Sequence, residues 1–348
     1  MRRGFGQKYF GFPTERAEEP QQEGHLDSAR SDVSGNVTRL DAVRPDFSQP
    51  ESSDAGSPSH AFEIYTDHFG MVERPFSLVP DPDYIYWSRE HERAFTMLEY
   101  GILTRAPITL ITGEIGAGKT TLIQHLLQSL GPDTHVGLIS NAHGSRGELL
   151  RWVLMALDQA APQSSDYVEL FATFQKYLIS EYAKGHNVVL IFDEAQNLSP
   201  ETLEELRMFT NINSGKDELL QLVLVGQPEL RAMIQRPELL QFSQRVAASF
   251  HLKSMDRSTV RKYISHRIEV AGGDPAIFSP AAATLIYEAT GGVPRLVNQL
   301  CDLALVYAFT GGAHKVSKAR VAKVLSDGAF FSSNKYSDIP RGGMGQNS

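Results

Sequence analysis

One run of eight residues, Gly113-Glu114-Ile115-Gly116-Ala117-Gly118-Lys119-Thr120, has the types and spacing to hold phosphate. Gly113 and Gly118 let the backbone wrap closely around an anion with several N–H groups pointing inward. The helix expected to begin at Lys119 adds its positive N-terminal end. Lys119 can reach the β- and γ-phosphates of a nucleotide. The hydroxyl of Thr120, which Thr121 follows, can ligate magnesium. The pattern G-x-x-x-x-G-K-T is that of a P-loop, and it implies ATP with Mg2+ as the bound pair.

Further along, VVLIFDEAQ ends an apolar run on two adjacent acids, Asp193 and Glu194. A carboxylate at the C-terminal end of a buried strand lies where ligands bind in open α/β sheets. There Asp193 can hold magnesium, and Glu194 can act as general base toward an attacking water. The bland alternative is a helix cap with an acidic first turn. Gln227 closes the run LQLVLVGQPEL and orients the lytic water, senses the γ-phosphate or simply forms a turn. In GGVPRLVN, Pro294 starts a helix and Arg295 is fixed in its first turn. Arg295 either reaches the γ-phosphate or makes a surface ion pair. Arg245, in QFSQRV, is a candidate arginine finger toward a neighbouring subunit, with Arg231 and Arg236 as competitors. His91 and Arg93 precede the P-loop strand and either line the adenine side or sit on a solvated face.

These residues need elements to carry them. Residues 88–103 begin with Ser and show apolar spacing of helical period. PITLITG is a strand, and a helix follows at once from Lys119 to a stop at Gly131. HVGLISNA, NVVLIFDEAQNL and LLQLVLVGQPEL are further strands, with two helices filling 146–184. Apolar runs without polar alternation suit strands covered on both faces, and strands alternating with helices imply an α/β layered fold with a parallel sheet. After His251 the pattern predicts only helices, over 258–271, 279–290, 294–309 and 317–326, three of them starting at Ser.

Composition bounds the rest. The chain has 348 residues, 41% hydrophobic and 21% charged, with a net charge of −8. These values suit a globular protein and argue against one that coats nucleic acid along its whole surface. The single cysteine, Cys301, lies in the apolar stretch NQLCDLALV and reads as core, so no disulfide framework or cysteine metal cluster is available within the chain. No apolar run has the roughly 20 residues that cross a bilayer. Two early arginines lack the apolar segment of a signal peptide, so a cytoplasmic protein is expected. Residues 1–60 are rich in Ser, Asp, Glu, Pro and Gly and read as a disordered tail. Within it Phe5, Tyr9, Phe10 and Phe12 are either a docking motif or a chance cluster. Residues 329–348 read as a second tail.

Taken in order, GEIGAGKTT, LIFDEAQNL, LVGQPEL, SQRV and GGVPRLVN resemble the AAA+ ATPases of the general secretion pathway protein A type. The upstream segment GMVERPFSLVPDPDYIYWSREHERAFTMLEYGI is similar to that family's N-terminal signature. The resemblance spans about residues 69–325. It implies an AAA+ fold with a five-stranded parallel sheet, helices on both faces and a small all-helical lid. The corresponding division is 61–253 for the nucleotide-binding domain and 254–328 for the lid. It implies Lys119 and Thr120 as Walker A, Asp193 and Glu194 as Walker B, Gln227 near sensor 1, Arg295 as sensor 2 and Arg245 as the finger. Members of that family continue into a membrane span and a peptidoglycan-binding module, which this chain is expected to lack. It is similar instead to shorter relatives of exopolysaccharide or exosortase loci. The resemblance also implies homo-oligomers working with secretion or envelope-assembly machinery, peripheral to the inner membrane. A rival from another class is a DNA-associated ATPase of the transposition-regulator kind, which shares the DEAQ strand. A third is a nucleotide-gated scaffold with negligible turnover.

Overall fold

The computed structural model describes residues 65–79, 81–140, 146–162 and 166–331. Both tails, with the aromatic cluster of Phe5, Tyr9, Phe10 and Phe12, lie outside the described residues. The first part runs α1 (Arg89–Leu103), β1 (Ile108–Gly113), α2 (Lys119–Ser129), β2 (Thr134–Ser140), α3 (Arg146–Ala156), α4 (Tyr167–Ala183) and β3 (Asn187–Asp193). It continues through α5 (Pro200–Phe209), a short hairpin of β4 (Asn213–Ser214) and β5 (Asp217–Glu218), then β6 (Leu220–Gly226), α6 (Pro228–Ile234), α7 (Leu240–Arg245) and β7 (Val246–Leu252). The helices α8 (Arg257–Val270), α9 (Pro280–Thr290), α10 (Pro294–Thr310) and α11 (Lys318–Ser326) follow.

The main sheet has five strands in the order β2-β3-β6-β1-β7, and every pair is parallel. Each residue of β1 and of β6 is buried, as expected of strands covered on both faces. Side chains alternate between two cores. Val188, Leu190 and Phe192 join the cluster built with α3, α4 and α5 around Leu150, Phe174 and Phe209. Val189 and Ile191 join the opposite cluster with Leu98 of α1 and Leu122 and Leu126 of α2. β7 carries no such signal. Its residues VAASFHL are only partly buried, because it is an edge strand with one neighbour, and polar Ser249 and His251 interrupt it. The apolar runs therefore reveal four strands of the sheet, and the fifth is written in weaker, half-exposed alternation.

The C-terminal helices have a core of their own. Cys301 is fully buried in it, as expected, and burial pushes its thiol pKa well up. Ser279 and Ser317 cap α9 and α11 as the spacing predicts. α8 differs: its cap is Asp256, whose carboxylate accepts from the Thr259 amide at 2.7 Å, so the helix starts one residue before Ser258. The same core takes in Tyr65, Phe69, Met71, Phe76 and Tyr84 from the segment ahead of α1. That segment is tied down by Val72 N–H to Ala271 O at 2.8 Å and by an Arg74–Asp302 ion pair at 2.6 Å. It then passes through Ser88, which caps α1, and so joins the helical part to the sheet part. Among the described residues no helix is long and apolar enough to cross a membrane.

Candidate nucleotide site

The parallel register brings the ends of β1, β3 and β6 to one edge of the sheet. Thr112 lies beside Gly226, and Asp193 follows directly on Phe192, which pairs with Leu224. The loop after β1 turns through Gly116 and Gly118, at φ +76° and +97°, a region where L side chains are strained. A Cβ on Gly116 would come 2.5 Å from Cβ of Arg295. The Lys119 ammonium folds back over this loop and donates to Gly113 O at 2.8 Å and Glu114 O at 3.0 Å. It is only 7% exposed and has no ion-pair partner among the described residues. Burial lowers its pKa, and the carboxylates of Glu194 and Asp193 push it back up. Such a desolvated cation favours an anion beside it.

Asp193 and Thr120 meet across this loop, with Thr120 Oγ1 3.4 Å from Asp193 Oδ2. Burial raises the Asp193 pKa, and the Glu194 backbone N–H, donating to Oδ1 at 2.9 Å, opposes that. Glu194 has φ +55°, which for a residue with a Cβ costs on the order of 1–3 kcal/mol. Its Oε2 accepts from Gln196 Nε2 at 2.6 Å and Gln227 Nε2 at 3.2 Å. Gln196 Oε1 in turn accepts from the Gln227 amide N–H at 2.9 Å. The two glutamines thus hold the carboxylate from one side. Residue type alone does not mark Gln196, although it sits two residues after Glu194 in DEAQ.

The helical part closes the other side. Arg295 N–H donates to Gly116 O at 3.2 Å. Its side chain lines the cleft and has neither hydrogen bond nor ion pair among the described residues. Arg267 also lines the cleft. It donates to Pro75 O, stacks 4.6 Å over the Tyr84 ring, and keeps Nη2 buried without a partner among the described residues. Nothing in its helical run LKSMDRSTVRKYISHRIEV marks it, since only the fold brings it to the cleft. Ile85, Tyr86 and Met255 give that wall an apolar part.

His91 also lines the cleft, and it braces the loop. Its Nε2 faces Ala117 O at 3.2 Å, so Nε2 carries the hydrogen, and Nδ1 accepts from Ser88 Oγ at 2.8 Å. Arg93 instead pairs with Glu90 at 3.3 Å on an exposed face, away from the cleft-lining residues. Arg245 does not line the cleft either. Its guanidinium donates to Thr210 O at 3.1 Å and to Asn211 Oδ1, and lies 3.8 Å from Glu218. Arg231 is exposed, and Arg236 pairs with Glu238 at 3.6 Å.

These residues fit a nucleotide triphosphate with a divalent cation. The loop packs so closely on Arg295 that Gly116 has no room for a Cβ, and among the described residues neither the buried Lys119 has an ion-pair partner nor the buried Arg267 Nη2 a hydrogen-bond partner. Thr120 and Asp193 supply hard oxygen donors suited to magnesium.

Comparison with known proteins agrees with this geometry. Residues 103–234 match the family model described as "AAA domain". Over 253 residues, 73% of this chain, the sequence is 39% identical to general secretion pathway protein A of Aeromonas hydrophila. The match covers 46% of that protein, so the chain spans about half the length of this curated relative. Among solved structures, the Aeropyrum pernix ORC2 protein in its ADPNP–ADP complexes has a TM-score of 0.55 at 19% identity, covering 73% of this chain and 71% of that one. Drosophila ORC bound to DNA has a TM-score of 0.58 at 16% identity, covering 81% and 70%. At such identities these two speak for the fold alone, and that fold is the expected P-loop sheet followed by helices. The chain is therefore an AAA+ P-loop protein, related through most of its length to general secretion pathway protein A.

Proposed function

We propose that the chain binds ATP with magnesium and hydrolyses it, and that the cycle opens and closes the helical part against the sheet. The observation that carries this reading is the Glu194 carboxylate, gripped by Gln196 and Gln227 beside the Thr120–Asp193 pair. In it, the loop amides of 114–121 and the Lys119 ammonium grip the β- and γ-phosphates. Thr120 and Asp193 hold magnesium, which neutralises phosphate charge when bound. Glu194 accepts the proton of the attacking water, and Gln227 keeps Glu194 oriented. Arg295 senses the γ-phosphate from the first turn of α10. Arg245 is the finger offered to the ATP of a neighbouring subunit in a homo-oligomer, and its bonds to Thr210 and Asn211 pre-set its position.

The work served is secretion or cell-envelope assembly, exopolysaccharide export included, at the cytoplasmic side of the inner membrane. This part of the reading rests on the likeness to general secretion pathway protein A. Glu194→Gln should retain ATP and lose phosphate release, and undiminished turnover would sink the base assignment. In cells that make only this variant, export of protein or polysaccharide should stop. Normal export alongside lost turnover would overturn the export role while leaving hydrolysis standing. Salt-sensitive, ATP-dependent DNA binding would instead favour the DNA-associated rival.

A further inference from the structure

A second cluster of chemically capable side chains lies at the other end of the sheet. His135 is the second residue of β2, His186 immediately precedes β3, and Glu181 lies in the last turn of α4. Asp193 ends the strand that His186 leads into, so the cluster is about 23 Å from the phosphate loop along β3. Glu181 Oε2 accepts from His186 Nδ1 at 2.7 Å and lies 3.4 Å from His135 Nε2. The three ligand atoms fall within 4.8 Å of one another.

Two features separate this cluster from an ordinary surface ion pair. The Glu181 side chain is only 4% exposed, and its other oxygen, Oε1, is taken by Lys184 Nζ at 2.7 Å, so Oε2 is left to the two imidazoles. The remaining ring nitrogen of His135 lies 3.2 Å from Tyr177 OH, the kind of outer partner that fixes a ligand imidazole. The scaffold is backbone-built. Asn187 N–H donates to Asp133 O at 2.8 Å, His186 N–H to Glu181 O at 3.0 Å, and His135 pairs in register with Val188. The histidine side chains are 38% and 28% exposed, which leaves a route from solvent.

We propose that His135, His186 and Glu181 bind a divalent transition-metal ion, zinc by their chemistry, as a clamp joining the end of α4 to β2 and β3. Two imidazoles and one carboxylate are a zinc donor set that leaves the fourth position for water, whereas magnesium and calcium favour sites made of oxygen. Both imidazoles bind the ion as neutral rings. His135 then keeps its hydrogen on Nδ1 toward Tyr177, and His186 keeps its hydrogen on Nε2. Without metal, the carboxylate accepts a hydrogen bond from His186 Nδ1 and lies close to His135 Nε2.

The test is zinc titration of the full chain against a chromogenic chelator, with wild type beside a His135→Gln/His186→Gln double variant. His68 and His314 also stack, at 4.2 Å, so His314→Gln serves as the control. The double variant should lose at least about tenfold in zinc affinity, with the control unchanged. Equal affinity in the double variant, or wild-type binding no tighter than millimolar, would overturn the proposal. If the double variant fails to fold, X-ray absorption on the zinc-loaded wild type decides. Two imidazole nitrogens and oxygen at about 2.0–2.2 Å support the site, and a shell containing sulfur or lacking imidazole overturns it.

Discussion

Alanine at Gly116 should separate the phosphate loop from the helical part, and the size of the effect follows from the contacts. Two costs are distinct. The first is conformational: φ +76° costs an alanine about 1 kcal/mol or more, and that cost falls on the folded chain whether or not nucleotide is bound. The second is steric: the new Cβ would stand 2.5 Å from Arg295 Cβ, so α10 must shift. That shift breaks the bond from Arg295 N–H to Gly116 O, worth about 1 kcal/mol. Restoring the closed arrangement against the overlap adds about 1 kcal/mol more. Closure on nucleotide then costs about 2 kcal/mol, a loss of ~30-fold in affinity. The matched control is Gly70→Ala, because Gly70 has φ +65° with open space around its missing Cβ. It should lose stability and keep affinity. Titration with a fluorescent ATP analogue, beside urea unfolding of both variants, separates the two costs. Affinity in Gly116→Ala within threefold of wild type would refute the coupling of loop to helix.

Other perturbations read other parts of the site. Glu194→Gln should lower phosphate release by about 10²–10⁴-fold with ATP binding intact, measured by coupled phosphate detection and nucleotide titration. Gln196→Ala removes the shorter of the two bonds to Glu194. It should lower kcat about tenfold with little change in KM, and a change confined to KM would contradict the positioning role. Lys119→Ala should abolish measurable ATP binding while leaving the unfolding midpoint close to wild type or higher, since it removes a desolvated cation. Burial holds the His91 imidazole below its usual range. The unfolded chain therefore takes up a proton that the folded one refuses, so its stabilisation is full above about pH 6.5 and fades as pH falls through and below that value. Between pH 7 and 5.5 wild type should lose more stability than His91→Gln, and parallel losses would remove His91 as the cause.

The site was legible in the sequence where chemistry and local structure coincide. Gly116, Gly118 and Lys119 are tied to a strand–loop–helix unit a few residues long, and Asp193 and Glu194 to a strand end, so residue type and spacing suffice. Arg267 was opaque for the converse reason, and for His91 the sequence left a place beside the nucleotide and a solvated face both open. Their positions depend on contacts between parts of the chain far apart in sequence, such as Arg267 with Pro75, and no local pattern encodes those. Gln196 is a middle case, adjacent to the motif but assigned a task only by the turn that Glu194 makes at positive φ. In the fold, β1, β3 and β6 announce themselves by burial on both faces, whereas the edge strand β7 needs its partner to be recognised. The same reasoning explains α8, where Asp256 and Ser258 both suit a cap and only the observed bond to Thr259 separates them.

The segment ahead of α1 also carries a consequence for biogenesis. Tyr65 bonds to Asp302, its partner 237 residues later in the chain. On a ribosome adding on the order of 5–20 residues per second, Tyr65, Phe69, Met71 and Phe76 would wait tens of seconds before their helices exist. During that interval the sheet can assemble, since its strands all lie between them, while a sticky aromatic strip remains uncovered. Nascent chains stalled before α10 should therefore recruit holding chaperones to this strip, and release should coincide with the emergence of Asp302.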